Sequence, residues 1–588
     1  MNLDIEPNGK KSRLKNLLYK RFYILQWIPE YTKFDGISDV IAGITVGLTM
    51  MPQSMAYASL ANLPAHYGLY SSFMGAFIYI FFGTIKEVSI GPTSLMALLT
   101  LSYTDNLSLD FVILLCFLCG WVELLMGIFK LGFIVDFISA PAISGFTSAT
   151  SVIIILAQLK GLFGIKFKSN NIFHYVQQFV SHSSDIKIND LILGIGCIVF
   201  LLIFRKFKDV KPKSVALKKT FWLLSIGRNA LTVLFGSLIA FYFESKTGKS
   251  PFTLSGAVHA GIPTFKLPNF NTKLGNETIS FMEMVHELGT GIIVLPVVAV
   301  LANVAIAKAF ASGRVVDATQ EMITLGLCNI FGSFVQSMPT CGAFTRSAVA
   351  NASGIRTPMA GIYAGTIILL ALTFLTPYFY YVPKSTLSAV LISAVIFMID
   401  YEIIPKLWKS NRFDLLITIL TFVISLMYGV EQGLLVGVLI NFIPLLKLWT
   451  RPKVEFSHSS NKKGNEYLMI KPELGLYYSA VDYLTQEIVK ITATMNSAIP
   501  IVIDCSNILQ VDYTATQALN GLVKMFKKKN QEVLLYNLTN TVFDNLKEVI
   551  NTHEMHCCKT EEEISSVLTE LKIKKSDDIE AALIPYKE

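Results

Sequence analysis

Residues 40–85 read VIAGITVGLTMMPQSMAYASLANLPAHYGLYSSFMGAFIYIFFGTI and contain no Asp, Glu, Lys or Arg. A membrane helix needs about 20 apolar residues to cross the hydrocarbon core, so this run of 46 has room for two. Further uncharged or nearly uncharged runs follow at 89–104, 109–129, 137–159, 191–204, 229–243, 288–307, 322–345, 357–383, 385–399, 415–430 and 432–446. Repeated runs of this length predict a polytopic α-helical membrane protein.

The composition divides the chain into a membrane part and an aqueous part. Of its 588 residues, 52% are hydrophobic and 16% are charged, which excludes an ordinary cytosolic enzyme. Charged residues number 57 in residues 1–450 and 35 in residues 451–588. We therefore predict a cytosolic N-terminal segment at 1–35, a transmembrane domain at 36–450, a cytosolic α/β domain at 451–565 and a tail at 566–588.

The apolar runs predict about fourteen membrane segments, seven before the loop at 245–283 and seven after it. An even number returns the chain to its starting side, so we expect both termini in the cytosol. Lys and Arg outnumber Asp and Glu by 34 to 23 before residue 451, and they cluster in the loops that this topology places inside. These basic clusters lack interleaved aromatic residues, so nucleic-acid binding is not expected.

Four N-x-Ser/Thr sequons occur, at Asn106, Asn276, Asn351 and Asn537. Only Asn106 and Asn276 fall in loops that face outward, so these two are the candidate glycosylation sites and the others are expected to be chance matches. Glycosylation requires the secretory route. The plasma membrane is the default destination on that route, and a lysosomal or other internal membrane is the alternative.

Two of the apolar runs are interrupted at corresponding places. The first reads EVSIGPTSLMALL (87–99) and the second reads SMPTCGAFTRSAVA (337–350). Each is third in its set of seven, the arrangement expected of an inverted repeat. Two half-helix N-termini aimed at one point create positive potential, because each carries about half an elementary charge. The interruptions therefore predict an anion site near mid-bilayer.

Polar side chains follow both interruptions. They are Thr93, Ser94, Thr345, Arg346 and Ser347. Arg346 is the one cation between Met322 and Ile355. A charge inside a membrane segment is costly and marks a functional site by default. The alternative is an arginine that snorkels to the interface, as we expect of Arg356.

Two longer stretches resemble a known family. GLTMMPQSMAYASLANLPAHYGLYSSFMGAFIYIFFGT (47–84) resembles the signature of the sulfate permease family of anion transporters, and DATQEMITLGLCNIFGSFVQSMPTCGAFTRS (317–347) resembles its second conserved block. The residues of the first block most resemble those of the animal sodium-independent sulfate transporter branch. The resemblance covers roughly residues 30–560.

The resemblance implies two inverted seven-span repeats, arranged as a core and a gate domain, with the anion held between the third and tenth helix N-termini. It implies anion-site roles for Gln53, Tyr57, Gly91, Pro92, Thr93, Thr345 and Arg346. Gln53 offers an amide donor and Tyr57 an amphipathic wall, while the two helix starts offer backbone N–H groups. An interhelical hydrogen bond is the alternative role for Gln53, and simple packing is the alternative for Tyr57.

One position departs from the family's proton-coupled members. Plant proton-coupled sulfate transporters carry a Glu in the eighth span, in a pattern like V-L-E-S-V-G-I-A-K. Residues 300–308 read VLANVAIAK here, with Ala302 at that place. Alanine cannot titrate, so proton coupling through this position is not expected.

We therefore predict secondary-active or facilitative transport of sulfate and related small anions, with chloride, bicarbonate and oxalate as further substrates, by anion exchange with alternating access. The alternatives are an uncoupled chloride-conducting channel, a non-transporting anion-binding motor or scaffold, and a nucleobase permease, which would need acidic residues in its site. Neither enzymatic activity nor a cofactor is expected. The resemblance also implies a homodimer formed through the transmembrane and C-terminal domains.

The C-terminal region alternates strands and helices, which is typical of an α/β domain. It resembles the STAS domain, which sulfate transporters share with anti-sigma factor antagonists. We predict that Thr514 caps a helix, with phosphorylation as the alternative. The dense cluster of His553, His556, Cys557 and Cys558 is not assigned a metal, and the pair Cys116 and Cys119 is expected to be buried core.

Overall fold

The computed structural model describes residues 18–137, 139–165, 167, 172–207, 215–255, 261–274, 277–311, 313–460, 464–473, 477–493, 499–508, 510–547 and 556–583. The chain divides into two compact units, residues 1–440 and 441–588. The first unit is built almost wholly of helices, and the second combines a sheet with helices.

The helices up to residue 450 are α1 (Ile24–Trp27), α2 (Lys33–Leu60), α3 (Ala65–Phe82), α4 (Ser94–Thr104), α5 (Leu109–Ile128), α6 (Ala140–Phe163), α7 (Ile172–Ser181), α8 (Ile188–Lys206), α9 (Val215–Thr247), α10 (Phe281–Leu288), α11 (Gly291–Phe310), α12 (Ala318–Ser333), α13 (Phe344–Ala352), α14 (Ala360–Leu370), α15 (Lys384–Val395), α16 (Ile403–Ser410), α17 (Arg412–Tyr428) and α18 (Val430–Thr450). Two short antiparallel pairs lie among them. They are β1 (Ile90–Gly91) with β4 (Cys341–Gly342), and β2 (Thr272–Leu274) with β3 (Glu277–Ile279).

Eight helical stretches in the described residues are long and apolar enough to cross a membrane. They are Lys33–Leu60, Leu109–Ile128, Ala140–Phe163, Ile188–Lys206, Gly291–Phe310, Ala360–Tyr381, Lys384–Ser410 and Gln432–Thr450. Helix α4 is apolar but only 11 residues long, because it begins at an interruption and covers about half a bilayer. The polytopic helical fold is confirmed, and the number of fourteen spans stays a prediction.

The membrane helices pack in two groups. In the first group α5 lies against α12, α2 against α14, and α3 against α2, α12 and α14. In the second group α6 packs against α15 and α17, and α8 against α15 and α9. The groups meet where α2 contacts α9 and α15. This division is the kind of two-body arrangement that the expected core and gate require.

Glycines allow the α5–α12 pair to approach closely. A Cβ on Gly120 would lie 2.7 Å from the Ile330 backbone nitrogen, and a Cβ on Gly326 would lie 2.6 Å from the Leu124 nitrogen. In lipid, where there is no hydrophobic force between helices, such small residues permit the backbone contact that holds a pair together. The second half of α5 is thereby fixed against α12.

The two candidate glycosylation sites differ in how far they can be described. Asn106 is exposed between α4 and α5, with a left-handed φ of 65° that Asn tolerates better than most residues. Asn276 lies outside the described residues. Asn351 lies in the last turn of α13, next to its C-terminal residue.

The second unit contains a five-stranded sheet in the order β5 (Val454–Ser460), β6 (Glu466–Pro472), β7 (Ile501–Asp504), β8 (Val533–Tyr536) and β9 (His556–Cys558). The β5–β6 pair is antiparallel, and the remaining pairs are parallel. The helices of this unit after α18 are α19 (Tyr478–Thr492), α20 (Tyr513–Lys528), α21 (Asn540–Lys547) and α22 (Glu561–Leu583). Parallel strands connected by helices confirm the predicted α/β domain.

Thr514 does not cap its helix. Asp512 is the N-cap of α20, where its carboxylate accepts the Ala515 N–H at 2.8 Å and also the Tyr478 N–H at 2.6 Å. Thr514 is exposed in the first turn. The cap prediction was therefore wrong, because an Asp two residues earlier already has the extended backbone that a cap requires.

The C-terminal His and Cys cluster is spread along a strand. His556, Cys557 and Cys558 form β9, so their side chains alternate between its faces. Burial raises the pKa of the Cys558 thiol to about 11, which keeps it protonated near neutral pH. Among the described residues no three His, Cys, Asp or Glu side chains are grouped to hold a metal, and His553 lies outside them. Cys116 and Cys119 are buried free thiols in the first unit, and Cys119 belongs to its largest apolar cluster.

Replacing Asp512 with Ala should loosen the starts of α19 and α20, because two backbone N–H groups lose their acceptor. We expect amide exchange there to accelerate about 5- to 30-fold, corresponding to about 1–2 kcal/mol. Hydrogen-exchange mass spectrometry on the full-length protein measures this. Thr514→Ala removes an exposed hydroxyl from the same turn and serves as the matched control. Equal protection in Asp512→Ala and the unmodified protein would contradict the assignment.

Candidate functional site

The two interruptions meet as a short antiparallel pair. Ile90 lies opposite Gly342 and Gly91 opposite Cys341. The Ala343 N–H donates to the Ser89 carbonyl at 3.1 Å, which extends the pair by one bond. Since α4 begins at Ser94 and α13 at Phe344, the pairing brings both helix starts to one place inside the first unit.

Close packing explains the glycine in each strand. A Cβ on Gly91 would lie 2.7 Å from the Met50 Cε and 3.2 Å from the Arg346 Nη2. A Cβ on Gly342 would lie 2.6 Å from the Asn303 Oδ1. These glycines are therefore needed for the approach of neighbouring side chains to the strand backbone.

The two helix starts differ in their caps. Thr93 is the N-cap of α4 and accepts the Met96 N–H at 3.3 Å. Ala343 is the N-cap of α13 and has no side chain that can accept a hydrogen bond. The first N–H groups of α13 therefore lack a side-chain cap, and a helix start in this condition attracts an anion.

Arg346 lies in the first turn of α13 and is fully buried, with 0% of its surface exposed. Its Nη1 donates to the Pro92 carbonyl at 2.7 Å, whereas its Nε and Nη2 have no partner within the described structure. Tyr57 and Cys341 are the titratable groups that interact electrostatically with the guanidinium, and no described carboxylate does so. The snorkelling alternative is therefore wrong. The site therefore holds a buried cation with two nitrogen donors, Nε and Nη2, that have no acceptor within the described structure.

Helix α2 contributes two buried side chains. Gln53 follows Pro52 inside the helix and is 3% exposed, and its Oε1 has no partner within the described residues. Tyr57 is 4% exposed and belongs to an apolar cluster that includes Ala97 and Met338. Tyr57 therefore forms part of a packed wall, while the Gln53 oxygen does not act as an interhelical acceptor.

The hydroxyl groups near the helix starts are partly occupied. The Ser347 Oγ accepts the Ser89 N–H at 3.2 Å, so it supports the strand pair. The Thr93 Oγ1 lies 3.3 Å from the Cys341 Sγ. Ser94 is buried and Thr345 half-buried in the two first turns. Gly91, Pro92, Thr93, Ser94, Thr345, Arg346 and Ser347 are thus gathered at the meeting point of the interruptions.

A cavity lies beside the strand pair. Its lining includes Lys86, Glu87, Met50 and Ile90. The Lys86 Nζ lies 3.8 Å from the Glu87 Oε1. Met50 is the side chain that contacts Gly91, so the cavity extends to the edge of the strand pair.

Sequence analysis missed two buried carboxyl groups in the same helical group. Glu123 on α5 and Glu321 on α12 are each 0% exposed. Glu123 is a single acid within the apolar stretch CFLCGWVELLMGI, the same signal that singled out Arg346. Ala302 itself is partly buried among apolar residues, but the next residue, Asn303, donates to the Glu321 Oε2 at 2.9 Å.

Comparison with known proteins gives consistent results. The model of the sulfate permease family matches residues 37–421, and the STAS domain model matches residues 460–564. The sodium-independent sulfate anion transporter of Bos taurus is 37% identical over 548 residues, which cover 92% of this chain and 90% of the bovine protein. Sulfate transporter 4.1, chloroplastic, of Arabidopsis thaliana is 29% identical and covers 90% of this chain and 79% of the plant protein.

Solved structures show the same fold. The overall structure of SLC26A9 superposes with a TM-score of 0.82 at 20% identity, covering 98% of this chain and 99% of that chain. The inward-facing murine Slc26a9 anion transporter gives a TM-score of 0.81 at 21% identity, covering 97% and 96% of the two chains.

Replacing Gly342 with Ala should destabilise the fold by about 1–3 kcal/mol, because the new methyl group overlaps the Asn303 amide. A lowered Tm of the detergent-purified protein is the expected readout. Gly196 in α8 has nothing within 4 Å of an added Cβ, so Gly196→Ala is the matched control and should leave the Tm unchanged or slightly higher. A Gly342→Ala protein as stable as this control would disprove the close approach.

Proposed function

The chain belongs to the sulfate permease family, and on that premise we propose that it carries sulfate and related small anions across a membrane by anion exchange at one central site. The bovine relative is named a sodium-independent sulfate anion transporter, which supports sulfate as a substrate and transport without sodium. Chloride, bicarbonate and oxalate are the exchange partners that we include in the proposal.

The observation that carries this proposal is the state of Arg346. A fully buried guanidinium with two nitrogens lacking partners leaves both charge and donors unsatisfied. An oxyanion beside the uncapped start of α13 would accept from those nitrogens and from backbone N–H groups together. The full positive charge on Arg346 suits a dianion better than a neutral solute.

Alternating access is the mechanism that the packing supports. The strand pair and Arg346 belong to the first helical group, and Tyr57 packs among residues of the second, such as Leu387 and Val390. A movement of one group against the other would expose the site to each side in turn. In the present conformation the cavity lined by Lys86 and Glu87 also contacts Ile90 of the strand pair.

The rival functions fit these groups less well. A nucleobase permease needs acidic groups to hold a neutral base, but no carboxylate in the described residues interacts with Arg346. An uncoupled chloride channel and a non-transporting anion-binding motor would both use the same cation. Flux measurements separate them from an exchanger, because a channel needs no counter-anion and a motor gives no flux.

Sulfate uptake into proteoliposomes should fall about 30-fold or more in Arg346→Ala, because a buried charged hydrogen-bond partner of the anion is lost. Arg356→Ala is the matched control. Arg356 is exposed, and its hydrogen bond to Asp39 uses only its backbone N–H. Uptake should also require a counter-anion inside the vesicles. Absence of uptake by the unmodified protein would refute transport, and uptake into vesicles without any counter-anion would refute exchange.

We propose cytosolic termini, a place in the plasma membrane and assembly as a homodimer, as the family and the basic loops support.

With this topology, Asn106 faces the extracellular side and carries a glycan. We expect Asn106→Gln to reduce the mobility shift produced by deglycosylation of the protein expressed in animal cells, and an unchanged shift would contradict a glycan at Asn106. Asn351→Gln alters a sequon in the last turn of α13 and should leave that shift unchanged. Loss of the shift in Asn351→Gln would reverse the topology.

A further inference from the structure

The chain from the end of α8 into α9 carries a concentration of positive charge that the proposed anion site does not use. Residues 205–228 contain eight basic residues and one acid, Asp209. The basic residues are Arg205, Lys206, Lys208, Lys211, Lys213, Lys218, Lys219 and Arg228. The side chains of Arg205, Lys206 and Arg228 lie within the described structure. The proposed topology places this stretch at the cytosolic face, where anionic lipids attract basic residues.

Two of these residues lie at the edges of neighbouring apolar runs. Arg205 directly follows the run 191–204, and Arg228 directly precedes the run 229–243. The helices α8 and α9, which contain these runs, pack against each other in the second helical group. Because the chain turns back between them, both arginines lie at the same border of the hydrocarbon layer. The phosphate groups of lipids lie at that border.

The structure also brings the two arginines close together through Ser225. The Ser225 Oγ donates to the Arg205 carbonyl at 3.4 Å, and the Arg228 Nη1 donates to the Ser225 carbonyl at 2.6 Å. Arg205 interacts electrostatically with the Arg228 guanidinium, and no carboxylate among the described residues does so. Two like charges held near each other repel, and an anion bound between them would turn this repulsion into attraction.

An aromatic ring from a third element holds Arg205 in place. The Arg205 Cζ lies 3.2 Å from the centre of the Phe397 ring, which belongs to the short helical turn Ile396–Met398 after α15. Contact with an aromatic face restrains a guanidinium, so less freedom is lost when it binds a ligand. Arg205 and Arg228 are both partly buried, whereas 51% of the Phe397 surface is exposed. The site is therefore built from α8, α9 and this turn.

A structural role at a helix end explains only part of this arrangement. Arg205 and Lys206 lie in the last turn of α8, where the helix dipole favours a cation. Arg228 lies well inside α9 (Val215–Thr247), so no helix end accounts for its charge. A partly buried arginine beside another arginine, at the border of the hydrocarbon layer, therefore indicates a ligand that is itself an anion.

We propose that Arg205 and Arg228 together bind the phosphate group of an anionic lipid in the cytosolic leaflet. Arginine binds phosphate through parallel hydrogen bonds, and a group of basic residues next to a membrane helix is typical of sites for phosphorylated headgroups. The exposed part of the Phe397 ring favours a lipid over a free phosphate, because an acyl chain can cover it. The inference rests on the proposed topology and concerns a site in the other helical group from Arg346.

The test measures lipid binding to the full-length protein in detergent. Fluorescently labelled phosphatidylinositol bisphosphate is titrated against the protein, and phosphatidylcholine with the same label is the neutral reference. We expect saturable binding of the phosphorylated lipid that is about 10-fold or more tighter than binding of the reference. Arg228→Gln should raise its Kd about 5-fold or more, because one charged contact with the phosphate is lost. Arg205→Gln should do the same, and it decides the test if Arg228→Gln fails to fold.

Arg412→Gln is the matched control. Arg412 is an exposed arginine whose Cζ lies 5.8 Å from the centre of the Trp408 ring, in a loop that the same topology places inside. This variant should bind the lipid as the unmodified protein does. Equal binding of the two lipids, or an equal loss in Arg412→Gln, would overturn the site. Displacement of the labelled lipid by soluble inositol trisphosphate as readily as by unlabelled lipid would overturn a lipid as the occupant. Sulfate flux plays no part in this measurement, so lipid binding and transport can fail independently.

Discussion

The pairing of β1 with β4 is the constraint on which the membrane unit depends. The hydrocarbon interior offers no water to the backbone groups that are left over where a helix is interrupted. Residues 90–91 and 341–342 satisfy one another, so each interruption needs the other. Their pairing also directs the starts of α4 and α13 to one point. The same bonds that make the broken helices tolerable therefore create a place where positive potential from both helix starts accumulates.

Charge placement around this pair follows a clear pattern. The charged groups buried in the first helical group differ in how far their partners satisfy them. Glu321 is surrounded by donors, whereas Arg346 has one acceptor and Glu123 has one donor. Incomplete satisfaction is costly in a fold unless a mobile partner completes the group. An anion would complete Arg346.

Packing determines how these groups communicate. Glycine contacts hold α5 against α12, and Asn329 bridges Glu123 to the backbone that enters β4. Asn329 is fully buried, and a buried polar side chain with hydrogen bonds on both sides cannot shift without moving its partners. In the second unit, too, one side chain serves two elements, since the Asp512 carboxylate accepts backbone N–H groups at the starts of two helices.

The sequence alone determined the features that are local in the chain. Apolar runs indicated the membrane helices, Gly and Pro marked the interruptions, and a lone arginine identified the cation, because each of these signals lies within one segment. It missed Glu123 and assigned the cap of α20 to Thr514 when Asp512 fills that role. Only the tertiary structure decided what each group binds. Arg346 and the Pro92 carbonyl are 254 residues apart, and Asn329 and Glu123 are 206 apart. Hydrogen bonding across such separations depends on how the helices pack, so no local pattern could reveal which buried charges are satisfied and which are left for a ligand.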